Sequence, residues 1–335
     1  RPFSRRESTV EGDRSSPIFS NMPRLLPLLV LCLVLCSPLP STSAAEPNSP
    51  NAINITACAP RIEKREPASE RMRTLHAEQM LYLHSIVGAG VCEHFYLDLG
   101  TNIGVSIRKV YEPQYYPDAP LITRFDEIFG LNRSRVCSVG FEPNAVHVDW
   151  LQQIQKSYRR AGFPAVIFTS SALAAEAGAL KFFRIAGYQE AGSSVMDLHG
   201  LNDDYVEAIA VDTNAFLQHL FHLWHLSASY TPGKSKVFAK MDIEGSEYFV
   251  LPHMFTGGSL CQIDEMSIEW HPSAVKCAPA DAAAMAAMTW ITSAACPNYR
   301  LTELDDETYS LKDPGPLPTH QSDYLKPLLP AAAYE

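Results

Sequence analysis

Short apolar runs alternate with longer amphipathic stretches between about residues 75 and 312 of this chain. Residues 74–87 carry Leu75, Met80, Leu83, Ile86 and Val87 at helical spacing and predict a helix. Phe95-Tyr96-Leu97-Asp98-Leu99 predicts a short buried strand, as do residues 136–141 and 165–169. Between the last two, residues 145–160 place Val148, Leu151, Ile154 and Tyr158 on one helical face. Residues 237–241 and 263–268 predict two more strands around a helix at about 246–256. Strands that alternate with helices imply right-handed crossovers and a mainly parallel sheet.

Several segments depart from simple alternation. Residues 179–183 and 206–211 predict an extra strand pair, and the Ala- and Met-rich residues 281–297 predict a helix. Residues 299–304 and 308–311 predict a closing antiparallel hairpin. Residues 111–133, rich in Pro and Tyr, are expected to form an inserted loop. One domain over 75–312 is the expectation, followed by a Pro/Ala-rich tail over 313–335.

The N-terminal part has a different pattern. Met22-Pro23-Arg24 is followed by an apolar run over 25–36 and by small residues ending at Ala45, the form of a secretory signal peptide over 22–45. The run is short for a bilayer span, and Pro38 and Pro40 close it. Residues 1–21 read as upstream leader sequence and residues 46–70 as a disordered linker or stem. The expected location is the lumen of the secretory pathway. A signal anchor through 25–36, which alone gives a membrane contact, or a second targeting segment is the alternative. Asn54-Ile55-Thr56 and Asn132-Arg133-Ser134 are glycosylation sequons in that setting.

Composition narrows the function classes. The chain is 46% hydrophobic and carries 37 acidic against 27 basic residues, a net charge of −10. Such a chain has a core, and its charge opposes non-specific coating of nucleic acid. No Cys-x-x-Cys pair is present, which disfavours a zinc ribbon. Beyond the leader, Cys58, Cys92, Cys137, Cys261, Cys277 and Cys296 permit disulfides, with the pairing left open.

In parallel sheets, ligands bind beyond the carboxyl ends of the strands, so the residues just after each strand carry the candidate chemistry. The first strand runs into Asp98-Leu99-Gly100-Thr101-Asn102-Ile103-Gly104. Gly100 permits a tight turn, Gly104 lets the next helix pack near the strand, and Asp98 is expected to face the ligand. The dinucleotide pattern Gly-x-Gly-x-x-Gly is absent, which opposes a nicotinamide enzyme. Glu142, after the second strand, is suited to the two hydroxyls of a ribose. Asp242, Glu244 and Glu247 crowd the turn after the fourth strand, with Glu247 also suited to a helix N-terminus. His271, beyond the fifth, is a candidate general base, and Trp270 a candidate pocket wall.

Leu97 to Gly104, Phe141-Glu142-Pro143-Asn144, Ser171-Ala172-Leu173 and 178–183 begin an ordered series of motifs. It continues through Gly192-Ser193-Ser194-Val195, Ala210-Val211-Asp212, residues 240–247 and Ile268-Glu269-Trp270-His271. Together these motifs, over about residues 93–272, resemble the FkbM family of class I S-adenosylmethionine-dependent methyltransferases. The insertions at 111–133 and 226–236 depart from the family pattern. The resemblance implies an α/β, Rossmann-like fold with a mainly parallel seven-stranded sheet and a terminal antiparallel hairpin. It implies S-adenosylmethionine as methyl donor and a hydroxyl oxygen as acceptor. Carried over by position, Asp98, Gly100, Asn102 and Gly104 serve the methionine part, Glu142 the ribose, and Ser171 or Ala172 the adenine.

Asp242, Glu244 and His271 are then the candidates for acceptor binding and proton removal. No metal ligands are assigned; a divalent cation held by the carboxylate cluster is the alternative. The expected partner is a glycan or small hydroxylated metabolite, with no nucleic acid; oligomeric state is open. The competing class is an inactive methyltransferase-fold scaffold of the secretory pathway.

Overall fold

The structure, a computed structural model, describes residues 62–63, 68–185, 192–195, 197, 204–271, 282–304, 306, 308 and 317–318, with backbone alone for 282–288. The 1–45 leader, Asn54, Cys58, Cys277, and residues 309–311 of the expected hairpin lie outside these residues, as does nearly all of the tail.

The strands are β1 (Ile62–Glu63), β2 (His94–Leu99), β3 (Val136–Glu142), β4 (Ala165–Thr169), β5 (Ser171–Ala174), β6 (Gly178–Phe183), β7 (Tyr205–Asp212), β8 (Val237–Met241), β9 (Glu265–Ile268) and β10 (Arg300–Glu303). The helices are α1 (Glu70–Gly88), α2 (Val105–Tyr111), α3 (Pro120–Phe129), α4 (Val148–Ala161), α5 (Thr213–His225), α6 (Glu247–Gly257) and α7 (Ala282–Ala295).

Six strands form one all-parallel sheet in the order β10-β9-β8-β2-β3-β4. Counted along the chain, that order is 3-2-1-4-5-6, consistent with a Rossmann-like doubly wound sheet. Alternate side chains go to opposite faces, and both faces are covered. Phe95, Leu97 and Leu99 of β2 pack with α1, α5 and α6, whereas Tyr96 points into a second core with α2, α3 and α4. Strands buried on both sides need continuous apolar runs, which is why β2, β3, β4 and β8 read so clearly in the sequence.

The structure differs from the sequence expectations at several points. The described residues supply six strands to this sheet, not seven. β10, expected as the first arm of an antiparallel hairpin, joins the sheet parallel to β9, and the expected second arm over 308–311 lies almost wholly outside the described residues. The connecting α7 is a crossover, and a crossover returns the chain to the same end of the sheet. The expected loop at 111–133 contains α3, started by Pro120 at its first turn. Leu121, Phe125 and Phe129 bury its apolar face, with Phe125 edge-on to Tyr96 at 4.9 Å and to Phe238 at 5.6 Å. Within the expected linker at 46–70, β1 adds an antiparallel edge to β6.

The predicted pair at 179–183 and 206–211 is observed as antiparallel β6 and β7. It belongs to a separate small sheet, β1-β6-β7-β5, in which β5 runs parallel to β7. Ser170, with φ of 51°, turns the chain from β4 into β5 and so joins the two sheets. Two disulfides, Cys92–Cys137 and Cys261–Cys296, close the pairing that sequence left open for these four cysteines. Among the described residues no helix is long and apolar enough to cross a membrane.

Candidate functional site

The strand order reverses between β2 and β8, because β3 follows on one side of β2 and β8 lies on the other. The carboxyl ends of those strands open a cleft there, the place where doubly wound sheets bind ligands. Gly100 and Asn102 border it after β2, Glu142 and Asn144 after β3, Asp242, Glu244 and Ser246 after β8, and Glu269 after β9. The small sheet supplies an apolar wall of Ala172, Leu173 and Phe182, joined by Phe141 and Val195.

The β2 turn is built around Gly100, whose φ is 103°. A Cβ there would lie 1.7 Å from the carbonyl oxygen of Asp242. That contact is backbone against backbone, held by the Asp242 N–H donating to Leu99 O at 2.9 Å. Gly104, φ 86°, precedes α2, and a Cβ on it would meet Ile154 Cδ1 at 2.9 Å. Its role is the approach of α2 to α4, and it does not border the cleft.

Glu142 organises the β3 end. Its two carboxylate oxygens accept the backbone N–H groups of Asn102 at 2.6 Å and Asn144 at 2.7 Å. Burial pushes its carboxyl up to about 7, with the two amides opposing the shift. Asn102 is held at φ 47°, and its buried Oδ1 has no hydrogen-bond partner. An orphaned acceptor and a carboxylate with lone pairs to spare suit a ligand that presents hydroxyl or ammonium donors.

Asp98 stands apart from this arrangement. It is fully buried, accepts a hydrogen bond from Tyr96 Oη at 3.0 Å, and is not among the residues bordering the cleft. Burial lifts its carboxyl to about 6, against the pull of Lys240. Ser171 and Ala172 do border the cleft, but the Ser171 hydroxyl is engaged by His76 at 3.2 Å and donates to Thr169 O at 3.2 Å.

The acidic turn after β8 folds around His271. Glu247, wholly buried at the start of α6, accepts the N–H groups of Ile243 and Gly245, each at 2.8 Å. The same carboxylate lies 3.1 Å from His271 Nδ1. Nε2 of that ring lies 3.4 Å from Glu269, 3.5 Å from Glu244 and 3.8 Å from Asp242. Burial alone would favour the neutral ring. Hydrogen bonds to Glu247 and Glu269, with the charges of Glu247 and Glu244, outweigh it and push His271 up to about 11. A pKa raised this far favours the charged ring at neutral pH and opposes the expected role of a neutral-pH general base.

Glu244 occupies a strained left-handed conformation, φ 52°, and burial pushes its carboxyl up to about 7. Its Oε1 accepts from Gly192 N at 3.1 Å and its carbonyl from Ser194 Oγ at 2.7 Å. Asp242 is paired with Lys240 through Oδ2, which leaves Oδ1 toward the His271 side. The fold therefore brings Gly100, Asn102, Glu142, Ser171, Ala172, Asp242 and Glu244 to one cleft, with His271 behind its acidic end. Sequence reasoning missed Glu269 as a site residue, and it placed Glu247 in the acidic turn or at a helix N-terminus without its link to His271. The signal for Glu269 was available, since it directly follows a strand end.

No family model matches the chain, and neither a curated protein nor a solved structure matches it.

Proposed function

We propose that this chain is an S-adenosylmethionine-dependent O-methyltransferase, of the kind that its motifs resemble in the FkbM family. The observation that carries the reading is Glu142, fixed by the amides of Asn102 and Asn144 at the switch point of a parallel sheet. A carboxylate held there from behind accepts the two hydroxyls of a ribose with its remaining lone pairs. The orphaned Asn102 Oδ1 faces the amino acid part, and the Ala172, Leu173 and Phe182 wall suits the adenine. Asp98, buried behind the turn, supports that turn instead of meeting the methionine part. On this reading the six parallel strands are the parallel part of a class I methyltransferase sheet.

When bound, the donor supplies a methyl group on a positively charged sulfur. The protein has to place an acceptor oxygen in line with that methyl and remove the hydroxyl proton. Glu244 and Asp242, which border the cleft, are the carboxylates for that task, and His271 positions them by its charge. The acceptor is a glycan or a small hydroxylated metabolite. Two disulfides and the exposed Asn132 sequon support residence in the oxidising secretory pathway, as a lumenal protein or through a signal anchor.

Calorimetric titration of the full chain with S-adenosylmethionine and S-adenosylhomocysteine tests the reading. Binding of both is expected, and Glu142→Ala should weaken it at least tenfold. Folded protein that binds neither would overturn the assignment.

A further inference from the structure

We propose that Asp242, Glu269 and His271 form a divalent-cation site at the acidic end of the cleft. One ligand atom from each lies within 4.8 Å of the other two. Ligands about 2.1 Å from one ion stand at most about 4.2 Å apart, so side-chain adjustments of under about 1 Å close the set. The ring is already aimed, and a cation bound at Nε2 takes the place of the proton there. Its Nδ1 is engaged by Glu247, whose carboxylate is itself fixed by two backbone amides, and Nε2 is left facing Asp242 and Glu269. A carboxylate behind the histidine is the common outer-shell support of a metal-binding imidazole.

Charge and hydrogen bonding point the same way. Four carboxylates, Asp242, Glu244, Glu247 and Glu269, surround one imidazole and one ammonium, that of Lys240. A second observation is independent of the acids. Ser246 borders the same cleft, is only 2% exposed, and has an Oγ without a hydrogen-bond partner. A water on a cation held here would supply that partner. One nitrogen with carboxylate oxygens suits an ion of intermediate hardness such as Mn²⁺, Fe²⁺ or Zn²⁺ better than Ca²⁺. Three protein ligands leave positions open for water or a substrate hydroxyl. The cation's use in orienting an acceptor oxygen rests on the methyltransferase reading; its binding does not.

The test is a titration of the full chain with MnCl₂, following the electron paramagnetic resonance signal of free Mn²⁺. Saturable binding at about one site is expected, weakened at least tenfold by Asp242→Asn and by His271→Ala. Glu269→Gln, a near-isosteric change, guards against variants that fail to fold and should also weaken binding. Thermal unfolding establishes that each variant is folded. No Mn²⁺ binding by folded wild-type protein at millimolar metal would overturn the proposal. Binding that survives all three substitutions would do the same. S-adenosylhomocysteine is titrated separately, without metal. Loss of the Mn²⁺ result alone leaves the methyltransferase reading standing, and loss of cofactor binding alone leaves the metal site.

Discussion

Glu142, at the tip of β3, accepts the backbone N–H of Asn102 at 2.6 Å across 40 residues of chain. This single bond couples the two turns that shape the cleft, and it fixes Asn102 in a left-handed conformation otherwise uncommon for a residue with a side chain. The carboxylate is buried while it does so, and its protonation is therefore tied to folding.

The folded carboxyl titrates at about 7 and the unfolded one near 4.5. Between those values the folded state holds the extra proton, so Glu142 contributes stability at low pH that is lost as pH rises toward 7. The full effect is at most about 3 kcal/mol. Urea unfolding between pH 5 and 8 should show a steeper loss in wild type than in Glu142→Gln. Equal slopes would mean that other groups, such as Asp98, carry the dependence.

At Gly100 a methyl group has no room, because the Asp242 carbonyl stands 1.7 Å from the Cβ position and the φ of 103° disfavours any L side chain. Gly100→Ala should cost about 2–4 kcal/mol by forcing the β2 and β8 turns apart. Urea midpoints measure the cost, and binding of S-adenosylhomocysteine should fall with it. A variant of wild-type stability would show that the turns do not approach this closely.

Arg108 of α2 and Glu112, just past its end, form a buried bidentate pair at 2.9 and 2.7 Å, and Tyr158 of α4 donates to the same carboxylate. Glu112→Ala leaves a buried guanidinium without its counter-charge. A loss of about 3–5 kcal/mol is expected. Denaturant unfolding of the single variant, set beside Tyr158→Phe, separates the charge contribution from that of the hydroxyl, which should be smaller.

Cys92 and Cys137 tie the segment before β2 to β3 across 45 residues. Replacing both with alanine should lower stability by about 2–4 kcal/mol, by enlarging the unfolded ensemble. Mass spectrometry of the unreduced chain, cleaved into peptides, checks the linkage itself. Free thiols at both positions would contradict it.

Much of the sheet was legible because a strand covered on both faces is mostly apolar, as in Phe95 to Leu97 or Val237 to Ala239. The site was legible in part, because glycine and acidic residues directly after strands mark the turns that face a ligand. α3 was hidden by prolines that read as loop punctuation, although Pro120 begins the helix. β10 read as a strand, but its place beside β9 and its direction there were not legible, because sequence carries strand propensity and the crossover through α7 decides direction.

Sequence by itself determined most strands of the parallel sheet and which of their ends carry acids or glycines, since these follow from local periodicity and residue chemistry; β1 and β5 came only from the fold. Tertiary structure decided what the acids do. Asp98 and Glu142 both follow the pattern of a ligand-facing strand end, yet Asp98 is fully buried and bonded to Tyr96, whereas Glu142 borders the cleft. His271 looked like a base in isolation. Its raised pKa comes from Glu247, Glu269 and Glu244, gathered from two separate turns, and such electrostatic coupling depends on distances that only the folded chain sets.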